Sequence, residues 1–167
     1  RNISVIYLYA ATFALFSIWV PETWLSTLTH KTILNQEAVR IVVSLGLIAP
    51  LAAGVFDLSI GGVISLSSML VSWLIINGGM SIWAACLITL GTGALIGALN
   101  AFLILKIKID SFITTLGMSS ILYALASAIS NGKMIFGFDQ SFKNIARFNL
   151  VGIEANIFYA LLFGIIM

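Results

Sequence analysis

Residues 58–105 read LSIGGVISLSSMLVSWLIINGGMSIWAACLITLGTGALIGALNAFLIL, a run of 48 residues without lysine, arginine, aspartate or glutamate. An α-helix rises about 1.5 Å per residue, so this run would extend for about 72 Å as helix. The hydrocarbon core of a bilayer is about 30 Å thick. The run is therefore long enough for more than two membrane crossings, and it decides the class of the fold.

The whole chain has the composition of a membrane protein. Of its 167 residues, 60% are hydrophobic and 8% are charged, and the mean hydropathy is +1.12. An ordinary soluble domain is about 45–50% apolar and about 25% charged. These values exclude a soluble enzyme, a nucleic-acid-binding protein and a disordered region, and they place the chain in a lipid bilayer. The net charge of +2 is too small to indicate an anionic partner.

Charged and turn-forming residues divide the chain into apolar segments. We predict an all-α, polytopic transmembrane bundle of about six helices, because single strands and irregular backbone cannot satisfy their hydrogen bonds in lipid. The predicted segments are 3–20, 41–56, 63–76, 82–105, 112–130 and one that begins near 155. The charged stretches at about 21–40 and 131–154 are predicted to be aqueous loops, the first one a loop or a short surface helix. Residues 1–167 are predicted to form a single transmembrane domain.

The second and third segments are each too short for a full crossing, and DLSIGG at 57–62 separates them. Two short segments that meet at an acidic, glycine-rich break resemble the discontinuous helices that line polar cavities in transporters. Alternatively, the second helix continues to about Ile60 and leaves Asp57 near a membrane face. The sequence leaves both interpretations open.

Small residues recur at helical spacing and predict faces where helices approach closely. Pro50 lacks an N–H group and favours a kink. The predicted packing or hinge residues are Pro50, Gly54, Gly61, Gly62, Gly93, Gly97 and Gly117. The simplest interpretation of these faces is ordinary packing between helices.

A few polar residues lie within the apolar segments. A charge such as Asp57 costs roughly 2.5–3.5 kcal/mol at the centre of a bilayer, so it predicts a paired, neutralised or wetted functional group. The alternative for Asp57 is a carboxylate that caps a helix at the membrane interface. Asn100 predicts either a hydrogen-bonded clamp between helices or a solute ligand. Asp110 and Ser111 predict the N-cap of the fifth segment, because either side chain can accept from free backbone N–H groups.

Sequence motifs of enzymes are absent. The sequence contains no GxxxxGK[ST], GxSxG or HExxH pattern. His30 has no second histidine or cysteine nearby, so we expect no metal and no cofactor. The chain is predicted to be a non-enzymatic transport or membrane subunit without a nucleotide site.

Three ordered motifs resemble the permeases of bacterial ABC sugar importers, the ribose, xylose and galactoside class of the branched-chain amino acid permease superfamily. These motifs are GVFDLSIGG at 54–62, GALIGALN at 93–100 and FITTLGM at 112–118. Ala101 stands where this class usually has glycine, and Ser111 stands where it usually has proline. The three motifs occur in order, with the spacing of this class, within roughly residues 35–135.

The resemblance implies that this chain is the N-terminal half of a longer permease in the bacterial inner membrane. Its implied partners are ABC ATPase subunits that hydrolyse ATP, an extracytoplasmic solute-binding protein and a second permease copy in a homodimer. The loop that couples to the ATPase is expected beyond Met167. The cation count alone favours an N-terminus outside the cytoplasm. The resemblance implies the opposite orientation, which we adopt.

The resulting hypothesis is a permease subunit of an ATP-driven importer for a sugar or a similar small polar solute. The residues predicted to line or shape the solute path are Asp57, Ser59, Asn100, Thr114 and Thr115. Two alternatives stay open. One is an ion-coupled secondary transporter that uses Asp57 as its ion or proton site. The other is a structural membrane subunit whose small-residue faces only pack against partners.

Overall fold

The computed structural model describes residues 3–140, 142, 144, 149–150 and 153–166. The helices are α1 (Ser4–Trp19), α2 (Pro21–Trp24), α3 (Thr27–Ala52), α4 (Ile60–Ile76), α5 (Ile82–Ala101), α6 (Ser111–Ser130) and α7 (Ala155–Ile166). A π-helical turn, Phe102–Lys106, extends α5. The two-residue strands β1 (Asn149–Leu150) and β2 (Ile153–Glu154) pair antiparallel, with Asn149 opposite Glu154.

Three of these helices are long and apolar enough to cross a membrane: Thr27–Ala52, α5 with its π-helical turn (Ile82–Lys106) and Ser111–Ser130. Ser4–Trp19 and Ile60–Ile76 are shorter apolar helices. The predicted fold class, an all-α membrane helix bundle, is therefore confirmed. The aqueous character of the loops and the single transmembrane domain stay predictions.

Helix α3 differs from its predicted bounds at both ends. It begins at Thr27 rather than at residue 41, so most of the stretch predicted as a loop or short surface helix is part of this helix. The charges in this stretch limit the apolar run, but lysine, glutamate and arginine are good helix formers. Arg40 and Glu37 also pair across one helical turn, with 2.6 Å between Nη1 and Oε1.

The C-terminal end of α3 is built by Pro50 and Gly54. Gly54 has a φ of +74°, the left-handed conformation that glycine adopts without strain. The N–H of Val55 donates to the carbonyl of Pro50 at 2.9 Å, and the N–H of Gly54 donates to Leu51 at 3.0 Å. These two bonds form a Schellman motif, which ends the helix. The interpretation in which this helix continues to Ile60 is wrong, because the chain is interrupted between Ala52 and Ile60. The other interpretation is correct about the interruption but not about two short segments, since Thr27–Ala52 is long enough to cross a membrane.

The break, however, covers residues 53–59 rather than 57–62. Gly61 and Gly62 were predicted to belong to it, but they form the first turn of α4. A glycine pair commonly marks a turn or a helix end, whereas here it lies inside a helix and permits a close approach. A Cβ atom on Gly62 would lie 2.9 Å from the Ser119 carbonyl oxygen of α6.

By contacts within the chain, the molecule has two compact units. Residues 1–42 with 147–167 form the first, in which the Trp24 ring lies 5.3 Å from Phe16, 5.8 Å from Phe13 and 6.1 Å from His30. Residues 43–146 form the second, which contains α4, α5 and α6. Its apolar core is the buried set Leu66, Ile96, Met118, Leu122 and Ala126.

The remaining predicted packing glycines have open surroundings within the described part of the chain. A Cβ on Gly93, Gly97 or Gly117 would meet no atom within 4 Å. Their role in helix packing therefore stays a prediction.

Candidate functional site: the break between α3 and α4

Asp57 and Ser59 form a tight local turn at the start of α4. One carboxylate oxygen of Asp57, Oδ1, accepts from the backbone N–H of Ser59 at 2.8 Å and from the Ser59 hydroxyl at 2.6 Å. The carboxylate thus satisfies a backbone donor at a helix N-terminus, where a negative charge is favourable. Asp57 is half-buried, whereas Ser59 is fully buried. The predicted capping role of Asp57 and its exposure to a polar cavity are both compatible with this position.

Asn100, near the end of α5, ties this turn to a second helix. Its Nδ2 group donates to the Ser59 hydroxyl oxygen at 2.9 Å, across 41 residues of sequence. Both side chains are buried, with Ser59 at 1% and Asn100 at 6% exposure. Burying polar groups is costly unless they are hydrogen-bonded, so this contact favours one arrangement of the helix break. The geometry is the interhelical clamp that the sequence offered as one of two interpretations of Asn100.

The first two turns of α6 hold the backbone of the break from another side. Thr115 accepts from the N–H of Leu58 at 3.1 Å and is itself only 1% exposed. Its hydroxyl proton has two carbonyl acceptors in reach, Ser111 at 2.8 Å and Phe56 at 3.2 Å. The Ser111 hydroxyl also lies 3.4 Å from the N–H of Phe56. The N–H groups of Phe56, Leu58 and Ser59 in the break are therefore bonded to protein side chains, which non-helical backbone in a membrane protein requires where water does not reach it.

A cavity of about 220 Å³ opens beside the break. Its polar lining comes from Asp57, Asn100 and Thr115. The apolar lining comes from the end of α3, the break, and the end of α5 with its π-helical turn: Pro50, Ala53, Val55, Gly97, Ala101, Ile104 and Leu105. The volume lies below the about 300–1,000 Å³ of sites for drug-sized ligands. A site of this size suits a small solute, an ion or a few waters.

Asp110 caps α6 as predicted. Its Oδ1 accepts from the N–H groups of Phe112 at 2.9 Å and Ile113 at 3.2 Å. The Asp110 side chain is exposed and does not line the cavity. It therefore fixes the start of α6, the helix that carries Thr115.

The structure brings four of the five predicted path residues together. Asp57, Asn100 and Thr115 line the cavity, and Ser59 lies buried between Asp57 and Asn100. Thr114 is buried, but its hydroxyl donates to the Asp110 carbonyl at 2.9 Å and it is not a lining residue. Assignment to a solute path stays a prediction for all five.

Sequence reasoning missed Ser111 as an anchor of the break. The sequence indicates Ser111 only as a helix cap and as a departure from the usual proline. A proline has no hydroxyl for the N–H of Phe56. The serine in place of proline was therefore the signal that the sequence offered. The sequence does not show that the hydroxyl of Ser111 meets the N–H of Phe56, which is 55 residues away.

Taken together, the fold and the site define an all-α membrane protein with a polar, hydrogen-bonded break between α3 and α4. This chain belongs to the family described as the branched-chain amino acid transport system permease component, whose model matches residues 30–167. The resemblance to sugar-importer permeases is confirmed by curated relatives.

Three of these relatives come from Escherichia coli K12. The D-allose transport system permease protein is 29% identical over 96% of this chain and 49% of its own length. The L-arabinose transport system permease protein is 30% identical over 98% of this chain and 50% of its own length. The galactose/methyl galactoside import permease protein is 31% identical over 78% of this chain and 43% of its own length. The chain thus spans about half the length of the relatives it matches, and no solved structure matches it.

Proposed function

We propose that this chain is the N-terminal part of a permease subunit of an ATP-driven importer for a sugar or a similar small polar solute. The observation that carries the proposal is the family match over residues 30–167, together with relatives that are named as sugar permeases. Each of the three motifs contributes a residue to the lining of the cavity beside the break, namely Asp57, Asn100 and Thr115. The first two motifs are also joined by the hydrogen bond between Ser59 and Asn100.

In this proposal the break shapes the solute path rather than only connecting two helices. Asp57, Asn100 and Thr115 supply polar groups at a cavity with otherwise apolar walls. Small-molecule sites commonly combine apolar walls with a few fixed polar groups that orient the ligand. Ser59 acts behind this surface, because it positions both Asp57 and Asn100. Thr114 contributes by stabilising the first turn of α6.

ATP hydrolysis in the proposed importer takes place on separate ATPase subunits. The further proposed partners are an extracytoplasmic solute-binding protein and a second copy of the permease. The complex lies in the bacterial inner membrane. We propose that the N-terminus and residues 106–108 face the cytoplasm, and that the stretches at 21–40 and 131–154 face the side where the solute-binding protein docks.

One observation favours a second candidate, an ion-coupled secondary transporter. Asp57 is half-buried, and within the described residues no lysine, arginine or histidine lies within 4.0 Å of its carboxylate. An ionisable group of this kind inside a membrane protein is by default a candidate for ion or proton transfer. A transporter of this type would work without an ATPase and would stop when the ion gradient is dissipated.

The test is uptake of radiolabelled D-allose, L-arabinose, galactose, ribose and xylose by cells that express the full-length gene with its neighbours. A matched strain lacks the partner ATPase. The proposal predicts accumulation of one of these solutes that disappears in the deletion strain. Accumulation that survives the deletion but stops with an uncoupler would support the ion-coupled candidate. Assembly of the complex that does not depend on the solute, without an uptake defect, would support a structural subunit.

A further inference from the structure

A second cavity, of about 270 Å³, lies at the far end of helices α4 and α6. Both helices begin beside the break and end at this cavity, whose lining includes Asn77, directly after α4, and Asn131, directly after α6. A helix of 17 residues such as α4 is about 24 Å long. The second cavity is therefore separated from the break by about the length of one helix, and it is a different site.

Two amide side chains of the second cavity have no partner in the described part of the chain. Asn77 and Asn131 line the cavity, and neither side chain forms a hydrogen bond with another described residue. Each amide offers both a donor and an acceptor. The ends of α4 and α6 add acceptors, because the last carbonyl groups of a helix have no partner within it. The cavity therefore suits a ligand that both donates and accepts hydrogen bonds.

The charge of the lining narrows the class of ligand further. The residues that line the second cavity, all of which the structure describes, include no aspartate, glutamate, lysine, arginine or histidine. A bound ion would lose water without meeting an opposite charge, which is costly. A neutral molecule with several hydroxyl groups fits better, since each hydroxyl can donate and accept.

Trp73 gives the second cavity an aromatic wall. Tryptophan is common where membrane helices meet water, and Trp19 and Trp83 fit that role, since they are 73% and 74% exposed and do not line this cavity. Trp73 is 41% exposed and does line it. The face of an indole ring is slightly negative, whereas the C–H groups on one face of a sugar ring are slightly positive. A sugar ring therefore packs favourably against this side chain.

We propose that the second cavity binds a neutral sugar, with Trp73, Asn77 and Asn131 as its contact residues. The choice of a sugar over other molecules with several hydroxyl groups rests on the proposed function. In the proposed orientation, residues 131–154 face the side where the solute-binding protein docks, so the cavity lies where the solute arrives. The inference deepens the proposed function, because it adds an entry site that holds the solute about one helix length before the break.

The test uses the full-length permease without its ATPase and solute-binding protein, in phosphatidylcholine nanodiscs, which contain no sugar head group. D-Allose, L-arabinose and D-galactose are the probes. Their binding is measured by saturation-transfer difference NMR, which detects weak complexes of small molecules with large particles. We expect a saturable signal for at least one sugar, strongest at the C–H protons on one face of its ring. Empty nanodiscs, and glycine betaine as a polar solute without hydroxyl groups, should give no saturable signal.

Four variants make the test specific. Trp73→Leu keeps an apolar side chain but loses the aromatic face, so it should weaken binding about tenfold, whereas Trp73→Phe should stay within about threefold of wild type. Asn77→Ala removes an amide without a partner among the described residues, so it should fold and weaken binding about fivefold. Trp83→Leu is the matched control, because it changes a tryptophan that does not line the cavity, and it should bind like wild type.

The proposal is overturned if the wild-type permease binds none of the three sugars saturably, or if folded Trp73→Leu or Asn77→Ala protein binds them like wild type. Equal losses for Trp73→Leu and Trp83→Leu would also overturn it, since they would assign Trp73 to the interface with lipid head groups. Asn77→Ala decides the question where Trp73→Leu does not fold.

The uptake assay separates this proposal from the proposed function. ATPase-dependent uptake of a sugar that does not bind at the second cavity would remove the entry site and leave the proposed function intact. The absence of ATPase-dependent uptake of any solute would contradict the proposed function, even where a sugar binds at the cavity.

Discussion

Helix α6 begins directly after Asp110, and helix α4 begins three residues after Asp57. The hydrogen bonds of Asp110 stay within its own helix start, whereas those of Asp57 belong to a network that reaches another helix. Asp110 bonds the N–H groups of Phe112 and Ile113, the second and third residues along its own chain. Asp57 bonds Ser59, whose hydroxyl then accepts from Asn100 on another helix. The start of α6 is thus made by local sequence, whereas the start of α4 depends on α5 and α6.

This difference separates a structural cap from a candidate site. Asp110 is exposed, and removing it affects one helix end. Asp57 lies at the point where a break, two neighbouring helices and a cavity meet. A change in any one of these elements should therefore alter the surroundings and hydrogen bonds of Asp57.

The largest effect is expected where α4 packs against α6 at Gly62. Gly62→Ala places a Cβ atom 2.9 Å from the Ser119 carbonyl oxygen and 3.0 Å from Leu122 Cβ. Overpacking of this kind costs about 1–3 kcal/mol, and the backbone contact argues for the upper end. The measurement is the free energy of unfolding of the full-length protein in mixed micelles.

Gly61→Ala is the matched control for that prediction. Its Cβ would meet the Tyr123 hydroxyl at 2.6 Å, which is the end of a side chain that can move. Replacing glycine by alanine in a helix gains up to about 1 kcal/mol, so this variant should be nearly neutral. Equal losses for Gly61→Ala and Gly62→Ala would contradict the described contact between α4 and α6.

The next largest effect is expected at Thr115. Thr115→Val keeps the shape of the side chain but removes the acceptor for the Leu58 N–H. Leaving a part-buried donor unpaired costs about 1–3 kcal/mol, and we expect about 2 kcal/mol of lost stability. Thr114→Val removes only a hydroxyl that bonds the carbonyl four residues earlier, and should cost about 0.5 kcal/mol or less. A similar loss for both variants would show that α6 does not hold the break.

A smaller effect should appear as coupling between Ser59 and Asn100. In a double-mutant cycle of Ser59→Ala and Asn100→Leu, we expect a coupling energy of about 1 kcal/mol, the net value of one buried hydrogen bond. The comparison cycle pairs Ser59→Ala with Asp110→Asn, which should be additive within about 0.5 kcal/mol. Additivity in both cycles would mean that the clamp between α5 and the break is absent.

The contrast between the start of α6, which depends on neighbouring residues, and the start of α4, which depends on other helices, explains which features the sequence could predict. The start of α6 was predicted correctly, because Asp110 and its acceptor geometry involve neighbouring residues only. A break near Asp57 was one of the two interpretations that the sequence left open, and it was indicated by the acidic, glycine-rich DLSIGG at 57–62. The position of the break was not predicted correctly, because Gly61 and Gly62 act through packing on α6 rather than as helix breakers. The early start of α3 was missed because charge limits an apolar run without ending a helix.

The candidate site was only partly predictable for a related reason. Residue types indicated Asp57, Asn100 and Thr115, which do line one cavity. The anchoring role of Ser111 depends on contact with Phe56, which the folded chain alone reveals.

The most direct test of the central claim is solute uptake by Asp57→Ala and Asp57→Asn variants of the full-length permease, with Asp110→Asn as the matched control. Uptake is normalised to the amount of permease in the membrane, using the solute that the wild type accumulates with its ATPase. The account predicts that Asp57→Ala reduces uptake at least about tenfold, a change of about 1.4 kcal/mol, while Asp110→Asn transports like wild type. Wild-type uptake by both Asp57 variants at normal protein levels would contradict the claim that this break shapes the solute path.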